Sequence, residues 1–122
     1  MISRRFIVTA AHCIDGIQDF IFTHKRRNFA KLGCIRDSKS DCYTSSFDYL
    51  WIEPSFNVRA ITNDIGLLRL ESTWSSENRF PSTVGTICLA SKSLPHNEWA
   101  MTLGWGGMNE KAEQSMWLKE VT

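Results

Sequence analysis

Residues 65 to 70 read Ile65-Gly66-Leu67-Leu68-Arg69-Leu70, a short apolar run entered from Asn63-Asp64 and left through Glu71-Ser72. Its brevity and its β-branched first residue favour a nearly fully buried strand over a buried helix. Gly66, inside the run, permits close approach of neighbouring backbone. The same character recurs outward along the chain. Candidate strands are Ile2 to Thr9, Phe29 to Ile35, Phe47 to Ile52, Trp99 to Gly104 and Ser115 to Val121. Glycine, proline, asparagine and serine punctuate them, and no helical period is sustained, so the fold class read from the pattern is all-β.

Punctuation fixes the connections. Leu50-Trp51-Ile52 ends at Glu53-Pro54, because proline lacks the ladder N–H and restricts the residue before it, so a turn begins there. From Glu71 to Leu94 the composition turns polar, interrupted by Thr86-Ile87-Cys88-Leu89, and reads as a long surface connection. No internal repeat supports a solenoid or a propeller.

With 122 residues, 43% hydrophobic and 22% charged, the chain is long enough for one core and is not of disordered composition. Fourteen basic against 13 acidic side chains leave a net charge of +1, so no long-range field favours nucleic acid or an anionic membrane. Neither is expected as a partner. The one dense basic run, His24-Lys25-Arg26-Arg27, reads as a solvated loop. No stretch approaches the ~18 apolar residues of a membrane-spanning helix. The beginning, Met1-Ile2-Ser3-Arg4-Arg5-Phe6-Ile7-Val8-Thr9-Ala10-Ala11, mimics a signal peptide, but its apolar part is too short, and no targeting segment is expected in this chain.

Cys13, Cys34, Cys42 and Cys88 form no C-x-x-C motif and have no histidine spacing of the zinc type, so no metal or other cofactor is expected. An even cysteine count in a loop-rich chain suggests disulfides and an oxidising compartment, with the connectivity left open by the sequence. Cys34 and Cys42 are the best local pair. They flank the polar Ser38-Lys39-Ser40-Asp41, and closing so short a loop removes a modest amount of unfolded-chain entropy.

Taken singly, the chemistry-bearing residues are unremarked. His12, His24 and His96 could be surface or core histidines, Asp64 a turn residue after Asn63, and Trp105 a core aromatic between two glycines. In company they mean more. Phe6-Ile7-Val8-Thr9-Ala10-Ala11-His12-Cys13, then Glu53-Pro54-Ser55-Phe56-Asn57 and Asn63-Asp64-Ile65-Gly66-Leu67-Leu68-Arg69-Leu70, then Met101-Thr102-Leu103-Gly104-Trp105-Gly106 resemble, in order and spacing, segments of the trypsin-like serine proteases. Nearly the whole chain is covered.

The resemblance implies a double β-barrel, here incomplete. Residues 1–98 would be most of the first barrel with its connection, and 99–122 the start of the second. It implies catalytic roles for His12, as general base and then general acid, and for Asp64, which would be buried beside it and hold the imidazole in one tautomer. Ala10 and Ala11 would allow a tight turn that leaves His12 reachable, and Cys13 could anchor that turn by a disulfide, but the partner cysteine lies upstream in the family, so Cys13 is expected to be unpaired within this chain. Cys88 resembles a position that joins a segment outside the catalytic domain in some relatives. His24 and His96 keep the surface reading, and Trp105 a structural one. Two departures stand out: Gly66 replaces the more usual alanine, and the Cys34 to Cys42 loop looks like an insertion.

Such chemistry also needs a nucleophilic serine in a Gly-Asp-Ser-Gly-like turn with its oxyanion hole. No such turn occurs in the 122 residues, and Ser40 and Ser76, beside acidic residues, lack the glycines. The chain alone is therefore expected to be inactive, and marginal in stability, since an open barrel leaves unpaired edges. The first functional expectation is a fragment of a secreted, extracellular serine endopeptidase whose complete parent cleaves a protein or peptide substrate. The alternative is a non-catalytic serine protease homologue acting as a secreted binding module. A third, much weaker, is a small disulfide-containing β module unrelated to proteolysis.

Overall fold

A computed structural model describes residues 1–17, 29–36, 42–71, 83–93 and 95–122. The basic run from His24 to Arg27, the Ser38 to Asp41 segment, and Ser76 with the polar residues around it lie outside the described residues. Among the described residues the chain is almost entirely strand and loop. Strands β1 (Phe6–Thr9), β2 (Phe29–Leu32), β3 (Tyr43–Ile52), β4 (Gly66–Leu70), β5 (Thr102–Gly104) and β6 (Lys119–Val121) are joined by one helical turn, α1 (Ala11–Ile14). The fold is thus all-β, and its larger sheet is half of a barrel, as a partial trypsin-like barrel requires.

The contacts divide the chain into two units, the first built from Met1–Ala30 and Thr44–Cys88, the second from Lys31–Tyr43 and Leu89–Thr122. The four-stranded sheet has the order β1-β4-β3-β2. β4 lies inside it, antiparallel to β1 through Phe6↔Arg69 to Thr9↔Gly66 and antiparallel to β3 through Leu50↔Leu68 to Ile52↔Gly66. This central place explains the apolar run that decided the fold class. Burial nevertheless alternates. Gly66, Leu68 and Leu70 are buried, whereas Leu67 and Arg69 are half-buried, so one face of β4 packs on the core and the other does not.

The core of the first unit gathers Ile14 from α1, Leu50 from β3 and Leu68 from β4, with Ile7, Ile17, Phe47 and Ile52 around them. A register shift between Phe47 and Tyr49 inserts Asp48 as a bulge. The bulge turns its carboxylate to Arg69, whose Nε and Nη2 donate to it at 2.8 and 3.2 Å, and Arg5 Nη2 stands 3.8 Å away. Arg69, the single charge of the run, is thereby paired on the sheet's outer face.

Strand boundaries differ from the pattern for local reasons. β1 begins at Phe6 rather than Ile2 because the Ser3 hydroxyl accepts from the backbone N–H of Arg5 and Phe6, bending the chain before the ladder starts. β3 begins at Tyr43, ahead of the apolar Phe47, since Tyr43 and Thr44 are of strand-forming type and Ser45 is buried. Residues 83–93 carry no helix or strand and are almost wholly exposed, in keeping with a surface connection.

In the second unit β5 and β6 pair antiparallel from Thr102↔Val121 to Gly104↔Lys119. Both are shorter than the pattern suggested. Beyond Gly104 and before Lys119 the pairing dwindles to a single bridge, Gly107↔Gln114. The tip is closed by Asn109, whose Oδ1 accepts from the N–H of Lys111 and Glu113. Trp117 bridges Arg36, whose guanidinium lies 4.9 Å from the indole centroid. Cys34 and Cys42 are joined in a disulfide, the pair favoured by spacing. Trp105 is half-buried between its glycines, and His96 is exposed.

Candidate active site

The site begins where β1 runs out. Ala10 remains extended at φ −77° and ψ 140°, and the chain then makes the single turn of α1. Ala11 is 0% exposed and Ile14 3%, so the turn sits on the sheet through these two side chains. A larger residue at position 11 would lift it. The intervening His12 and Cys13 consequently face outward, and the His12 side chain is half-exposed.

Asp64 comes from a separate loop between β3 and β4, and several short-range contacts shape that loop. Phe56 N–H donates to the Glu53 carbonyl, closing the turn at Pro54, and Ser55 Oγ donates to the Glu53 carboxylate. Asn57 and Thr62 pair across the loop, and Asn57 Oδ1 accepts from the N–H of Arg59 and Ala60. Ile61 and Asn63 adopt left-handed backbone, at φ 50° and 54°. Asn63 tolerates that conformation and donates through Nδ2 to the Ser55 carbonyl at 3.1 Å. Ile65 N–H then donates to the Asn63 carbonyl across Asp64, which aims the carboxylate at α1.

Both carboxylate oxygens of Asp64 meet His12. Oδ1 accepts from the His12 backbone N–H at 2.8 Å, and Oδ2 lies 2.6 Å from Nδ1. A carboxylate only accepts, so Nδ1 carries the proton and, in the neutral imidazole, Nε2 holds the free lone pair. The Asp64 side chain is 19% exposed. This corrects the expectation of burial: its loop is largely exposed around it, with Ile61 and Ile65 both outside the core. The His12 backbone N–H, foremost, and the His12 ring hold the Asp64 carboxyl below its ordinary range, with Ala11 N–H adding to them and partial desolvation opposing.

Cys13 forms no disulfide within these residues, as expected, and is exposed. Its Sγ lies 3.4 Å from His12 Nε2. Adjacency in sequence was the only signal of this contact, since which way the thiol turns depends on the helical turn of α1. Cys88 is likewise unpaired and exposed. Among the described residues no three His, Cys, Asp or Glu side chains converge as a metal site would require, and no helix is long and apolar enough to cross a membrane.

The geometry is that of a base and its orienting acid. An imidazole fixed at Nδ1 by a carboxylate can accept a proton at Nε2, and the cation so formed is stabilised by the same carboxylate. Comparison with known proteins identifies the family of the chain as a whole. The trypsin family model matches residues 1–122. Trypsin delta of Drosophila erecta is 32% identical over 102 residues, 84% of this chain and 36% of that protein, and trypsin gamma of the same fly matches to the same extent. The CLIP domain-containing serine protease B4 of Anopheles gambiae is 30% identical over 119 residues, 87% of this chain and 32% of that protein. The chain thus spans about a third of the length of the curated relatives it matches. By its matched segments, its half-barrel and its full-length family match, this chain belongs to the trypsin family of serine proteases.

Proposed function

We propose that these 122 residues are the part of a secreted serine endopeptidase that supplies the acid-base machinery of peptide-bond hydrolysis. The observation that carries this reading is the double engagement of Asp64 with His12, at 2.8 Å to the backbone and 2.6 Å to the ring. His12 is the catalytic general base that takes the proton of a serine hydroxyl through Nε2 and then returns it to the leaving amine. Asp64 holds the tautomer and stabilises the imidazolium. The serine, the oxyanion-hole amides and the pocket that selects the substrate side chain come from sequence outside these residues. Alone, His12 and Asp64 contribute little, because triad members act as a unit. Residues 1–98 belong on this reading to the first barrel and its connection, and 99–122 open the second.

The substrate is a protein or peptide, as membership of a protease family supports. Secretion is supported by the disulfide between Cys34 and Cys42, which persists in oxidising compartments. Sequencing the transcript through both ends of this reading frame tests the proposal. A downstream Gly-Asp-Ser-Gly turn is the expected result. A stop directly after Thr122 in the mature message would remove the hydrolase reading for this chain and favour a non-catalytic secreted binding module.

A further inference from the structure

Thr62, Asn63 and Ile65 are each fastened to the opposite limb of their loop. Thr62 exchanges backbone hydrogen bonds with Asn57 at 3.0 and 3.4 Å, and the Ile65 carbonyl accepts from Glu53 N–H at 3.1 Å. Between them, Asn63 Nδ2 donates to the Ser55 carbonyl, also at 3.1 Å. Of these three fastenings only the last is made by a side chain, so it is the one specified by the residue type at its own position. Asp64 lies at the centre of a three-residue turn, closed by Ile65 N–H on the Asn63 carbonyl at 2.9 Å, and its direction is therefore set by its neighbours. That direction is demanding. Oδ1 must reach the His12 backbone N–H and Oδ2 the ring at Nδ1 together, at 2.8 and 2.6 Å. A small rotation of the backbone at Asn63 would keep one of these bonds and break the other, and the ring bond is the one that fixes the tautomer. Asparagine suits position 63 twice, by tolerating left-handed backbone at φ 54° and by supplying the donor.

We propose that the Asn63 carboxamide is a positioning group for the acid-base pair, holding the Asp64 turn against the Ser55 carbonyl so that both carboxylate oxygens meet His12. Its own partner is Ser55, not a reacting atom, and it acts through Asp64. Asn63 is exposed, and an exposed hydrogen bond exchanges for one to water at little net cost, so its loss scarcely changes stability. Catalytic geometry is more sensitive, because a misplacement of about 1 Å costs up to about 10²-fold in rate. The tether rests on the hydrogen bonds of the loop alone, whereas its effect on hydrolysis rests on the endopeptidase reading proposed above.

The test compares the full reading frame containing these residues with its Asn63→Gly and Asn63→Asp forms. Glycine keeps the left-handed backbone without strain and deletes the tether. Aspartate also tolerates that backbone, is nearly isosteric, and sets a carboxylate that only accepts against the Ser55 carbonyl. In both forms kcat for peptide hydrolysis is expected to fall about tenfold, with KM within about twofold and the thermal midpoint nearly unchanged. The proton NMR signal of His12 Nδ1–H, moved downfield by its short bond to a carboxylate and identified by its loss in Asp64→Asn, should shift upfield or broaden. A form that fails to fold is recognised by its lost signal dispersion, and the other then carries the comparison. Unchanged hydrolysis in both forms, a loss carried by KM alone, or a lowered kcat with the Nδ1–H signal unmoved would overturn the proposal. A parent that hydrolyses no peptide would remove the endopeptidase reading, and the NMR signal would still decide the tether.

Discussion

The side chain of Ile14 occupies the space that a Cβ on residue 66 would need: such a carbon would lie 2.5 Å from Ile14 Cδ1 and 3.2 Å from both Ile14 Cγ1 and the Trp51 carbonyl oxygen. Gly66 thereby lets α1 settle directly on β4. Because α1 also carries His12, and β4 follows directly on the Asp64 loop, this contact bears on the separation of the two site residues. The glycine found where the family more often has alanine is, in this chain, matched by the isoleucine that fills its place.

Gly66→Ala is therefore expected to destabilise the chain by about 1–3 kcal/mol, the usual effect of overpacking, despite the modest backbone gain of replacing a strand glycine. Shortening Ile14 to valine removes Cδ1, the nearest atom, and the Gly66→Ala/Ile14→Val pair should be more stable than the sum of the single changes. Denaturant unfolding of the four members of this cycle measures it, and strict additivity would contradict the contact.

Ile61 is a β-branched residue in left-handed backbone at φ 50°, and it is more than half exposed. Its conformation costs more than its packing returns. Ile61→Asn should raise stability by about 1 kcal/mol, because asparagine visits this region readily and little apolar burial is lost. Thermal unfolding checks this, and a lowered midpoint would show that the isoleucine packs more than its exposure indicates. Ile61→Gly should gain less, since glycine also loosens the unfolded chain.

Asp64 and Asp48 are both held below the ordinary carboxyl value of 3.8, Asp64 first by the His12 backbone N–H and Asp48 first by its hydrogen bonds with Arg69. Carboxyls lowered by folding add stability that is complete above the unfolded value and is lost as pH falls through the folded one. Acid unfolding should accordingly set in below about pH 4. Asp64→Asn and Asp48→Asn should each flatten the stability profile there, and Asp48→Asn, which has no histidine partner, should leave its slope near neutrality unchanged. Unfolding free energies measured across that window test the sign, and a variant that steepened the profile would refute it. Both groups are partly exposed, so each effect is small.

Much of the fold was legible because its elements are specified locally. The run at Ile65 to Leu70 read as a strand through its composition and proved to be the one flanked by β1 and β3. Spacing alone favoured Cys34 with Cys42. What escaped depends on tertiary distance or on backbone sign. The alternating burial of β4 arises because only one face of the sheet is covered by the core, and its outer face pairs Arg69 with a bulged Asp48, which no period announces. The helical turn at Ala11 to Ile14 is too short to have a period at all. His12 and Asp64 were recognised by the company of their flanking residues. The partial exposure of Asp64, the thiol contact at Nε2 and the fit of Ile14 over Gly66 are properties of three-dimensional packing.

The central claim is that His12 and Asp64 form the acid-base pair of a serine endopeptidase, and the most direct measurement is peptide hydrolysis by the full reading frame containing these residues, against its Asp64→Asn and His12→Ala forms. Hydrolysis by the wild type, reduced about 10⁴-fold by Asp64→Asn and by a similar order in His12→Ala, is the predicted result. A wild-type enzyme whose rate is indifferent to both substitutions, or a complete, correctly processed protein that hydrolyses no peptide, would contradict it.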